Sequence, residues 1–205
     1  TVGLVTMTVC AVLAVLSTDI KELLAYSTAS HLGLTIAGFG FGSHYGAEAG
    51  VFHLLNHALF KAALFLVAGV IAHEAGTRSL DELDETGGLG RDLPVTAVVA
   101  VVAALSMAGV PPFGGFYSKE IFFEAAWTAA ETSGGLAWLY PATAVFASVF
   151  TVLYSLRFAG IFVGERLSVL RGRGEHPNGL ELAHRRGRRE LAAGLRAAPD
   201  HGDLG

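Results

Sequence analysis

Apolar residues run along this chain in long blocks, and polar residues gather in the short gaps between them. This pattern predicts helices at about Thr1–Ser17, Leu23–Gly42, Ala49–His73, Val95–Trp127 and Leu136–Val163. Four of the blocks are uninterrupted and have roughly the 20 residues that an α-helix needs to cross a hydrocarbon core. The fifth, Val95–Trp127, carries Val110, Pro111, Pro112, Phe113, Gly114 and Gly115 in its middle. Prolines remove backbone donors and glycines loosen the chain, so this helix is expected to be discontinuous at Pro111-Pro112. Lipid leaves only helices and closed barrels viable, and the expected fold is an all-α, polytopic membrane bundle of about five transmembrane helices.

The gaps add orientation. Lys21 follows the first span, Arg78 and Arg91 follow the third, and an arginine-rich tail follows the fifth, while 43–48 and 128–135 hold no Lys or Arg. Alternate ends are therefore expected to face the cytoplasm. The acidic link from Glu74 to Leu93 is expected to be a solvated loop or a short surface helix. Two regions follow from composition: residues 1–163 as one transmembrane module, and 164–205 as a polar tail expected to be disordered. That tail sets eight arginines against six acids, a balance too weak for a nucleic-acid arm.

Composition agrees with the pattern. The 205 residues are 52% hydrophobic and 16% charged, below the quarter charged typical of soluble domains. Cys10 is the one cysteine and lies within an apolar block, so neither a disulfide framework nor a cysteine metal site is expected. The chain opens on Thr1 directly into a span, with no signal-peptide pattern, and is expected to begin partway through a longer protein.

Candidate chemistry lies in the few ionisable residues inside the blocks. The chain has three lysines, Lys21, Lys61 and Lys119, against eleven arginines, and two of the lysines lie within spans. Arginine keeps its proton under any protein condition, whereas a desolvated lysine can exchange one near neutrality. Lys61 is roughly 12 residues, about 18 Å, from either end of its helix, too far for its stem to snorkel out. An ionised group at that depth is costly and marks function by default. His53, His57 and Lys61 fall at i, i+4 and i+8, a stripe of titratable groups about 6 Å apart, with Asn56 expected to be a packing residue beside them. Lys119 follows the Pro-Pro break, next to Glu120 and one turn before Glu124, and broken helices are where transporters place ion sites. His31, His44 and His73 stand isolated along the chain, so no metal centre is expected, and His73-Glu74 lacks the second histidine of a zinc protease helix. A lipid-active His-box enzyme is the non-transport alternative.

Three ordered segments resemble one family. They are Thr18-Asp19-Ile20-Lys21-Glu22-Leu23-Leu24-Ala25-Tyr26-Ser27-Thr28-Ala29-Ser30-His31-Leu32-Gly33, then Phe52-His53-Leu54-Leu55-Asn56-His57-Ala58-Leu59-Phe60-Lys61-Ala62, then Ala104 to Phe113 with Ser118-Lys119-Glu120. Together they resemble the antiporter-like subunits of respiratory complex I and of multisubunit Mrp-type sodium/proton antiporters. His73-Glu74-Ala75-Gly76-Thr77-Arg78 looks most like the large A-type subunit of the antiporters. The resemblance implies that these helices are the second of two inverted five-helix repeats. It implies proton exchange with one side of the membrane at Lys119 and a central axis through His53, His57 and Lys61, with Glu120, Glu124, Pro111, Pro112 and Lys21 in support. The chain would then be part of a cation/proton antiporter in the cell membrane: a transporter component rather than an enzyme, with no prosthetic group, moving protons and sodium alongside other membrane subunits. The alternative is the proton-pumping component of complex I. The family's first repeat, and the helices expected after Val163, are missing from this sequence.

Overall fold

A computed structural model describes residues 1–85 and 89–163, with no side-chain detail at 84 and 85. The polar tail expected at 164–205 lies outside the described residues. Seven α-helices occur among those described: α1 (Val2–Leu16), α2 (Ile20–Gly40), α3 (His44–Glu74), the short α4 (Leu80–Glu85), α5 (Pro94–Ala108), α6 (Gly114–Ser133) and α7 (Leu139–Val163). A single 3-10 turn, Gly135–Trp138, leads into α7. The link between α3 and α5 contains α4, one of the two forms expected for it.

The predicted fourth helix is two helices, α5 and α6, separated by Gly109–Phe113. Gly109 closes α5 with φ +84°, a left-handed conformation natural to glycine. The expected end at Trp127 is too early, because α6 runs on to Ser133. Its last turns are held locally: Trp127 Nε1 donates to Glu131 Oε1 (2.9 Å), Thr132 Oγ1 donates to the Thr128 carbonyl (2.8 Å), and Trp127 meets Trp138 edge-on. Likewise α3 starts at His44, five residues before the expected Ala49, since Ser43 Oγ caps it by accepting the Gly46 N–H at 3.0 Å.

By length and composition, α3 and the stretch Gly135–Val163 are each long and apolar enough to cross a membrane. The 15-residue helices α1 and α5 are apolar but shorter, and α6 carries Lys119, Glu120, Glu124 and Glu131. Burial is inverted relative to a protein in water. Leu59 and Leu66 are each 73% exposed, while His31, His53, Lys61, Ser118 and Lys119 are buried. Apolar side chains also line the outer faces of α1, α5 and α7. An apolar surface of this extent is tolerated in lipid and not in water, so the fold is an all-helical membrane bundle.

Small residues let the helices approach. Gly3 on α1 and Gly33 on α2 pack backbone to backbone, and a Cβ on either would meet the other helix's main chain. One end of the bundle is tied by polar contacts. Asp19 caps α2 by accepting from the Lys21 N–H (2.7 Å) and pairs with Arg78 at 3.3 Å. The Ile20 N–H donates to the Arg78 carbonyl and the Leu80 N–H to that of Thr18. Arg157 reaches from α7 to the last carbonyls of α1, donating to Val15 (2.6 Å) and Ser17 (2.7 Å). Nothing in the sequence singled out Arg157.

Candidate functional site

The break between α5 and α6 is built by omission. In a continuous helix the carbonyls of Met107 and Ala108 would accept the N–H groups four residues on, which are those of Pro111 and Pro112. Neither proline has an N–H, so these two carbonyls are orphaned. Lys119 Nζ occupies both vacancies, donating to Met107 at 3.0 Å and to Ala108 at 2.9 Å. The lysine sits one turn inside α6, buried, and its stem lies against Gly109, where an added Cβ would come within 2.9 Å of Lys119 Cδ. A cation there also meets the negative end of α5. Glu120 and Glu124 are exposed, and among the described residues neither pairs with Lys119. Glu120 does line a cleft of about 360 Å³ together with Lys119, Phe116, Phe123, Gly109 and Ser148. Lys21 is exposed at the start of α2, on the end of the bundle carrying Arg78.

Lys61 is treated alike on α3. It is 4% exposed and points across to α2, donating to Ser27 Oγ and to the Leu24 carbonyl at 3.3 Å. Ser27 and Thr28 donate to that same carbonyl, which leaves the Ser27 oxygen free to accept from the ammonium. No carboxylate contacts Lys61 or Lys119 among the described residues.

His53, His57 and Lys61 do share a buried stripe of α3. The hydrogen bonds of His53, however, lead sideways. Its Nδ1 meets Ser118 Oγ of α6 at 2.9 Å, and its Nε2 meets His31 Nδ1 of α2 at 2.9 Å. His57 stacks near both rings, 5.5 Å from His31 and 6.4 Å from His53 between centroids, but its buried Nε2 has no hydrogen-bond partner.

The expectation that His31 stands isolated is therefore wrong. It is 2% exposed, bonded to His53, and its Nε2 meets the Tyr154 hydroxyl of α7 at 3.1 Å. A signal for it existed: Ser27, His31 and Thr35 lie at i, i+4 and i+8 along α2, the spacing that marked His53, His57 and Lys61. Tyr154 had no such mark, because a lone tyrosine in an apolar helix looks like any packed aromatic.

Among the described residues the buried polar seam thus joins α2, α3, α6 and α7, and combines serine hydroxyls, three imidazoles and the Tyr154 phenol with two lysine amines. Among the described residues no group of three or more His, Cys, Asp or Glu is placed to hold a metal ion.

Known proteins resemble this chain in sequence and fold. The chain is 48% identical over 165 residues to a probable K(+)/H(+) antiporter A/B subunit of Rhizobium meliloti, covering 79% of this chain and 16% of that protein. It is 41% identical over 182 residues to the A1 subunit of the Na(+)/H(+) antiporter of Staphylococcus aureus, covering 80% and 22%. Among solved structures, the Mrp complex from Dietzia sp. matches with a TM-score of 0.65 and 42% identity over 77% of this chain and 17% of that one. Respiratory complex I from Thermus thermophilus with bound NADH matches with a TM-score of 0.70 and 27% identity over 88% and 36%. The chain spans about a fifth of the length of the two curated relatives. Residues 1–151 match the family described as NADH:quinone oxidoreductase/Mrp antiporter, TM, and with relatives this similar the chain belongs to that family.

Proposed function

We propose that this chain is a proton-translocating part of the large A-type subunit of a monovalent cation/proton antiporter, exchanging sodium for protons within a larger assembly of membrane subunits in the cell membrane. In this reading it forms the second five-helix repeat, with about five spans, and its Lys21, Arg78 and Arg91 end faces the cytoplasm. Lys119 and Lys61 carry the proton, with His53 and His57 on the axis between half-channels. Glu120 and Glu124 lie at the mouth, and Pro111 and Pro112 hold the break open.

The observation that carries the reading is that, among the described residues, both buried ammonium groups pair with carbonyl and hydroxyl oxygens alone. A structural cation in lipid is normally matched by a carboxylate, and removing its proton strands an anion. Here loss of a proton leaves a neutral amine among neutral dipoles and strands no anion, so the site can cycle between its two states. Resemblance to relatives named as antiporter subunits at 41% and 48% identity favours antiport over the complex I alternative, whose solved neighbour is 27% identical. A purified complex containing iron–sulfur clusters and flavin would select that alternative.

The test uses the full-length protein in its native complex, reconstituted into vesicles. Lys119→Arg and Lys61→Arg keep the charge and much of the bulk, but guanidinium does not give up its proton. Cation-driven pH change is expected to collapse in both variants, as in the matching alanine variants. Near-wild-type flux in both arginine variants rejects proton carriage by these lysines.

A further inference from the structure

Two buried titratable side chains, His31 and Tyr154, have no place in the path just described, yet they are bonded to it. We infer that they form its α7 end: a chain Tyr154–His31–His53–Ser118 passes protons sideways between α7 and α6. The inference rests on the proton-translocating function proposed above.

Four contacts make the chain: Tyr154 hydroxyl to His31 Nε2 at 3.1 Å, His31 Nδ1 to His53 Nε2 at 2.9 Å, His53 Nδ1 to Ser118 Oγ at 2.9 Å, and Ser118 Oγ to the Gly115 carbonyl at 3.1 Å. The last fixes the direction of the rest. A carbonyl only accepts, so Ser118 spends its single proton on Gly115 and must accept from His53 Nδ1–H. A neutral His53 then has a bare Nε2, which accepts from His31 Nδ1–H. His31 in turn has a bare Nε2, which accepts from the Tyr154 hydroxyl. Every donor points from α7 toward α6, and both rings are neutral.

This ordering is loaded for one hop. A proton taken up by the Tyr154 oxygen releases the phenolic hydrogen to His31 Nε2. His31 passes its Nδ1 hydrogen to His53 Nε2, and His53 passes its own to Ser118, whose original hydrogen turns away from the Gly115 carbonyl and is taken up by a water molecule. One proton enters and one departs, every group ends neutral, and both rings have changed tautomer. On the α7 side the Ser30 and Thr151 hydroxyls spend their protons on the Met7 and Ala147 carbonyls, so the proton that enters at the phenol is supplied by water. At the other end, Ser118 directly precedes Lys119. The route up α3 lacks such continuity, because the His57 Nε2 is partnerless.

The experiment takes the full-length protein in its native complex and measures cation-driven proton flux in H2O and D2O for wild type, Tyr154→Phe, His31→Phe and Lys119→Ala. Tyr154→Phe keeps the ring and removes one oxygen. It is expected to lower flux at least tenfold and to change the solvent isotope effect, and His31→Phe to do the same. A difluorotyrosine at position 154 keeps the shape but makes a more acidic phenol. It is expected to shift the rate several-fold, which a packing role would not do, and it decides the matter if Tyr154→Phe fails to assemble. Flux within twofold of wild type in Tyr154→Phe, or in the difluorotyrosine protein, with an unaltered isotope effect overturns the relay. If Lys119→Ala is inactive in that case, the function stands without the α7 branch. If Lys119→Ala also transports normally, the function and the relay fall together.

Discussion

Replacing Pro111 and Pro112 together with alanine restores the two N–H groups whose absence leaves Met107 and Ala108 open to Lys119. The energies favour the helix. Each proline resists a helix interior by about 3 kcal/mol relative to alanine, so the double change removes roughly 6 kcal/mol of resistance, and the two new amide–carbonyl bonds add about 1 kcal/mol each. Against this stand the two charge-assisted bonds of the ammonium, at about 1.5–3 kcal/mol apiece, or roughly 3–6 kcal/mol. Gly109 poses no obstacle, since glycine returns from φ +84° to the right-handed region without penalty. The helix is expected to extend and take at least one carbonyl from Lys119. Losing one such bond corresponds to about a 10- to 10²-fold change in the occupancy of the working geometry. Two measurements check this in the full-length complex: cation-driven acidification of vesicles at equal protein content, and hydrogen exchange across residues 107–114. Transport is expected to fall by at least tenfold while assembly persists, with the new amides at 111 and 112 protected. Normal flux in an assembled complex, or new amides that exchange freely, refutes the argument that the prolines exist to free these acceptors.

Other outcomes follow from neighbouring contacts. Gly109→Ala adds both left-handed strain of about 1–2 kcal/mol and a Cβ against the Lys119 stem, whereas Gly109→Asn tolerates the conformation but keeps the Cβ; transport is expected to fail in both, and full recovery in the asparagine variant would show that only φ matters. Arg157→Leu removes two donors from the end of α1 and is expected to destabilise the protein by about 2–4 kcal/mol, read as a lowered melting temperature of the purified complex. A cysteine placed at Ser79 is expected to react with impermeant reagents only from the cytoplasmic side; labelling from outside would invert the proposed orientation.

The long apolar helices were legible because length and composition alone select them in lipid. The interruption at Pro111-Pro112 was legible because two missing donors cannot be hidden. The end of α6 was not: its last turns depend on Trp127 meeting Trp138 and Glu131, and one of those partners lies beyond the helix itself. The site divides in the same way. His53, His57 and Lys61 could be set on one stripe because helical periodicity relates residues within a helix. That His53 bonds to His31, 22 residues earlier, and that His31 bonds to Tyr154, 123 residues later, depends on which helices pack together. Spacing is silent on that. The acceptor for Lys119 was missed for another reason. Side-chain partners such as Glu120 and Glu124 come readily to mind for a buried cation, while an orphaned backbone carbonyl leaves no letter in the sequence.

Because the counter-charge of Lys119 is the end of a helix, it is a position rather than a chemical group. A carboxylate partner would follow the ammonium through small movements of its own side chain. The Met107 and Ala108 carbonyls move only as α5 moves, and α5 is a short rod with Pro94 at its far end. Tilting that rod by an ångström alters the electrostatic hold on the proton without touching any titrating residue. A neighbouring protein that leaned on the exposed valines of α5 would act as a mechanical transducer, turning force into proton affinity at a distance.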